Sequence, residues 1–100
     1  MLHEEWIEAL RSGEYQQGRR YLKKGDNYCC LGVLCELADE PEEVKGVYTL
    51  FGDKLSFPSP ELLHKVGLEI KMAKRLTELN DFGVSFGAIA DELEEYYAKG

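Results

Sequence analysis

A chain of 100 residues has room for one hydrophobic core and excludes a second domain of ordinary size. Apolar residues make up 44% and aromatics 11%, which excludes a disordered chain, and no run approaches the roughly 20 apolar residues of a membrane span. The net charge of −7 opposes DNA binding by the chain as a whole, yet residues 11–24 carry Arg11, Arg19, Arg20, Lys23 and Lys24 against Glu14 alone, a local +4 that sets the remainder at −11.

In chain order, the acidic, amphipathic start MLHEEWIEAL is unlike a signal peptide. Leu2, Trp6, Ile7 and Leu10 form one apolar stripe, which predicts a helix from Leu2 to Arg11, ended by Ser12-Gly13 with the glycine in the left-handed conformation. GRRYLKKGDNYCC predicts a β-hairpin around Gly25-Asp26-Asn27. LGVLCELAD turns helical, because Leu31, Leu34, Cys35 and Ala38 recur at helical spacing, and Pro41 stops it. GVYTLFGDKLSF has two β-prone runs around Gly52-Asp53, a second hairpin. Ser59-Pro60-Glu61 starts a short helix that ends near Gly67. The last third predicts a helical hairpin. Met72, Ala73, Leu76 and Leu79 stripe its first member, Asn80 to Gly83 break it, and Ser85 caps the second, whose apolar face is Phe86, Ile89, Ala90, Leu93 and Tyr97. The expected fold is therefore α+β: one small domain over residues 1–100, mostly helical, with one or two short hairpins and a C-terminal helical hairpin.

The stretch from Trp6 to Tyr15 with Gln17-Gly18, then Tyr28-Cys29-Cys30-Leu31-Gly32-Val33-Leu34-Cys35, then Gly67-Leu68, Leu79-Asn80-Asp81, Ser85-Phe86, Ile89-Ala90 and Leu93-Glu94 resembles a family of small proteins carried by tailed phages and prophages. The likeness runs from about residue 6 to residue 94. The sequence departs from it in the helix from Leu62 to Gly67, where Leu63, His64 and Lys65 stand in place of a tryptophan found in similar proteins. The resemblance implies a viral accessory protein in the cytoplasm of an infected bacterial host, and it supplies no biochemical activity.

Three cysteines, two of them adjacent, make no even disulfide framework and suit a reducing cytoplasm. Cys29, Cys30 and Cys35 with His3 or His64 lack the paired spacing of a zinc site, so the expectation is no metal and buried thiols. A thiol nucleophile requires a cap at Asn27 or Tyr28, so that Cys29 and Cys30 fall in the first helical turn, and His64 within reach as base. The C-terminal helices echo a repressor's helix-turn-helix, but the outward Asp91, Glu92, Glu94 and Glu95 oppose phosphate, so double-stranded DNA is not the expected partner.

The basic segment carries the leading expectation. Arg19, Arg20 and Lys23 supply phosphate donors, Tyr15 and Tyr21 supply ring faces, Gln17 supplies an amide, and glycines flank them. These six residues form the candidate site for a small anionic, nucleotide-like ligand in a protein that is not an enzyme and needs no cofactor. The opposing reading has the same cations pair with the acidic C-terminal helix. The functional alternative is an inhibitor that docks its acidic face on a host protein, with a cysteine hydrolase behind both. A homo-oligomer is plausible because a domain of this size is modestly stable alone.

Overall fold

The computed structural model describes residues 1–19, 22–39, 58 and 60–99. Helix α1, Leu2–Ser12, buries Trp6, Ile7 and Leu10 on one side and ends on Gly13 at φ 80°, as its stripe and glycine require. Three two-residue strands follow: β1 at Gln16–Gln17, β2 at Lys23–Lys24 and β3 at Asn27–Tyr28. β2 and β3 form the expected hairpin, antiparallel, with Lys23 opposite Tyr28. β1 joins the other edge of β3 in parallel, with Gln17 opposite Tyr28, a pairing that two glutamines do not announce.

Helix α2, Cys30–Leu37, is buried on every side from Cys30 to Cys35, rather than along one stripe. It crosses the centre of the molecule, packed on α1 and on the helix at Ile70–Asp81. Two contacts fix it there. The Trp6 indole Nε1 donates to the Cys30 carbonyl at 2.8 Å, and Gly32 lies so close to the Leu22 backbone that a Cβ would fall on the Leu22 carbonyl oxygen.

Helix α3, Pro60–Val66, begins on its proline and ends at Gly67, φ 69°. Helix α4, Ile70–Asp81, buries Ala73, Leu76 and Asn80, and helix α5, Phe86–Lys99, buries Phe86, Ile89, Ala90 and Leu93. Between them the Ser85 hydroxyl accepts the Ala88 N–H at 3.2 Å, the expected cap. α5 packs along α1 and α4 and closes the core. The fold is thus a small α+β domain, mainly helical with one three-stranded sheet among the described residues. Pro41, the second hairpin expected at 46–57 and the Ser59 cap lie outside the described residues. No described helix is long and apolar enough to cross a membrane.

Candidate functional site

The basic segment is built around Asn80, which is fully buried at the end of α4. Its Oδ1 accepts from Gln17 Nε2 at 3.0 Å and from the Cys30 N–H at 3.2 Å, while its Nδ2 donates to the Gly18 carbonyl at 2.7 Å. Gln17 Nε2 also donates to the Val84 carbonyl at 2.7 Å. The Gln17 amide, a candidate ligand group, therefore ties β1 to the α4–α5 turn. The β1 strand places Tyr15 edge-on against Tyr28, with ring centroids 5.3 Å apart. Lys23 lies 4.0 Å from the Glu36 carboxylate and 5.6 Å from the centre of the Tyr28 ring, and the Tyr28 hydroxyl donates to the same carboxylate at 3.1 Å. Burial, then Glu36, pushes the Tyr28 phenol up from its ordinary range.

Arg19 is exposed and makes no ion pair among the described residues. Its guanidinium rests on Gly83: a Cβ there would stand 2.8 Å from an Arg19 guanidinium nitrogen. Gly83 holds φ 90°, and the preceding Phe82 is 86% exposed. The structure thus sets Arg19 beside a turn that shows an aromatic ring to solvent. Phe82 had no sequence signal beyond its place in the helix-breaking stretch. Arg20 and Tyr21 lie outside the described residues.

Part of the basic run is neutralised within the molecule. Arg11, at the end of α1, meets Asp91 at 2.6 Å and Glu94 at 3.2 Å, so it does pair with the acidic helix. These two carboxylates hold the Arg11 guanidinium above its ordinary value. On the same helix Glu92 takes Arg75 at 3.5 Å and Glu95 takes Lys99 at 3.1 Å.

The three cysteines are free and buried. Cys29 is itself the cap of α2, its Sγ accepting the Gly32 N–H at 3.4 Å, so the cap at Asn27 or Tyr28 that a thiol nucleophile would need is replaced by one at Cys29. Burial outweighs this hydrogen bond and pushes the Cys29 thiol up to about 11, while burial with the neighbouring Cys29 raises the Cys30 thiol well above its ordinary range. Both groups are therefore kept as thiols at neutral pH, the opposite of an activated nucleophile. His64 is exposed on α3 and lines a separate groove of about 710 Å³, which Tyr15, Gln17, Arg19 and Lys23 do not line.

No curated protein and no solved structure matches the chain. One family model does, over residues 1–50, half of the chain, and it is described as Domain of unknown function (DUF8296). The chain belongs to that family.

Proposed function

We propose that this protein is a non-enzymatic accessory protein of a tailed phage that binds a small anionic, nucleotide-like ligand in the cytoplasm of the infected cell, so withholding a host defence signal. The phosphate side of the ligand meets Arg19, with Arg20, Lys23 and Tyr21 completing the site. One observation carries this reading. Arg11, Arg75 and Lys99 are each matched to carboxylates, whereas Arg19 is exposed, makes no ion pair among the described residues and rests on Gly83, the residue after the exposed Phe82. A guanidinium fork without an internal acid is available for bidentate contact with phosphate. Gln17 supports the site from behind, through Asn80, and Tyr15 braces Tyr28.

The acidic-face inhibitor has less to stand on, because three cations already sit against Asp91, Glu92, Glu94 and Glu95. The direct test is calorimetry with a panel of cyclic and linear nucleotides. Wild-type protein should bind at least one of them, and Arg19→Ala should weaken that affinity by about tenfold to a hundredfold. A panel that gives no heat with wild-type protein removes the reading.

A further inference from the structure

The groove of about 710 Å³ lies between the start of α1, the end of α3, the start of α4 and the outer half of α5. Its volume falls in the range of small-molecule sites. One wall is aromatic. His3 stacks on Tyr97 at 4.3 Å between centroids, and Tyr96 meets Tyr97 edge-on at 5.1 Å. The wall is also fixed: the Tyr97 hydroxyl donates to the Val66 carbonyl at 2.9 Å, and the Tyr96 hydroxyl accepts the Glu69 N–H and donates to the Glu69 carboxylate. Met72 lies half-buried along the α4 side. Both hydroxyls are held by protein partners, so the half-buried Tyr96 and Tyr97 rings, with His3, make a fixed aromatic side to the groove.

The charges around the groove select among ligands. Arg75 is matched to Glu92 and Lys99 to Glu95, and Glu69 is engaged by Tyr96. Lys65, at the end of α3, is exposed and makes no ion pair among the described residues. With Arg75, Lys99 and the Met1 amino group each committed to a carboxylate, a ligand with several negative charges finds few uncommitted cations along the groove. A single negative charge placed at Lys65 meets a cation instead. We infer that this groove is a second binding site, independent of the Arg19 corner, for a flat aromatic molecule that carries one anionic group, such as an aryl carboxylate or sulfonate. The ring lies along the Tyr96–Tyr97–His3 wall, and the anionic group faces Lys65.

The test uses the full chain and two fluorescent probes of similar ring system: 8-anilinonaphthalene-1-sulfonate and the uncharged N-phenyl-1-naphthylamine. Titrations should give saturable 1:1 binding of both, with the sulfonate held about threefold to tenfold tighter. Lys65→Ala should bring the sulfonate down to the level of the uncharged probe. Met72→Trp, which fills the groove while leaving the hydroxyl contacts in place, should weaken both probes by more than about tenfold, with an unchanged circular-dichroism spectrum as proof of folding. Arg19→Ala should leave both titrations unaltered. Non-saturating binding, indifference to Met72→Trp in a folded variant, or equal affinity for the two probes overturns the inference. A nucleotide whose binding falls with Arg19→Ala and holds with Lys65→Ala and Met72→Trp reports on the Arg19 corner, and the reverse pattern reports on the groove, so each site stands or fails by its own variants.

Discussion

Asn80 is buried among apolar side chains, yet its amide joins α4 to β1 and to the first residue of α2. Replacing it with alanine strands the buried Cys30 N–H, which costs about 1–3 kcal/mol, and takes the partner from the half-buried Gly18 carbonyl. We expect Asn80→Ala to lose about 3 kcal/mol in urea unfolding, and Gln17→Ala to lose less, because Gln17 is only half-buried. A double-mutant cycle should give clear coupling between the two. Near-additive losses would show that the 3.0 Å contact contributes little. The thiols give a pH dependence with a definite sign. The Cys29 value rises from an ordinary value of 9.0 to about 11 on folding, so the folded state holds its proton after the unfolded chain has lost it. This stability is fully present below pH 9 and is lost as pH climbs through about 11, at roughly 1.4 kcal/mol per pH unit. Cys29→Ala should flatten that fall, read from urea midpoints between pH 8 and about 11. An equal slope in wild type and variant would contradict it.

At the scale of elements, glycine in a helix has opposite consequences in α2 and α5. An added methyl at Gly32 collides with the Leu22 carbonyl, part of the backbone, so α2 must back away from Leu22, just before β2. Gly32→Ala should cost about 3 kcal/mol or more, if the variant folds at all. At Gly87 on the exposed side of α5, the nearest atom to a new Cβ is the Ser85 hydroxyl oxygen at 4.0 Å. Gly87→Ala should gain up to about 1 kcal/mol, and thermal melts of the two variants side by side check both signs. The sequence made this architecture legible wherever neighbours in the chain decide it. Leu2, Trp6 and Leu10 mark α1, Pro60 and Gly67 bracket α3, and Ser85 caps α5, all through contacts within a few residues. What depends on distant segments was not legible. The parallel β1–β3 pair, the burial of α2 on all sides and the 63-residue reach from Gln17 to Asn80 carry no local signature. The same limit governs the site: Arg19 could be named from its charge, but Gly83 joins it only through the docking of the α4–α5 turn.

For the whole molecule, the charge of −7 is organised rather than merely excess. Arg11 spans from α1 to α5, and its carboxylate partners Asp91 and Glu94 are largely exposed. Contacts of this kind are screened by salt, whose Debye length shrinks from about 10 Å at 0.1 M to about 3 Å at 1 M. Arg11→Ala should therefore lower the melting temperature slightly at low salt and hardly at all at 1 M. Arg19→Ala has no carboxylate partner to lose among the described residues, so it should melt like wild type at either salt concentration. The two arginines then separate when a nucleotide is present. A ligand at 100 times its dissociation constant stabilises the folded state by about 2.7 kcal/mol. In a domain of this size that corresponds to roughly 10–20 °C, far above the effect of a surface ion pair. Wild type and Arg11→Ala should both gain that shift. Arg19→Ala, binding about tenfold to a hundredfold more weakly, should keep about half of it or less at the same ligand concentration. If Arg19→Ala instead melts early without ligand, the guanidinium belongs to the scaffold, and its place over Gly83 is a packing contact rather than half of a binding site.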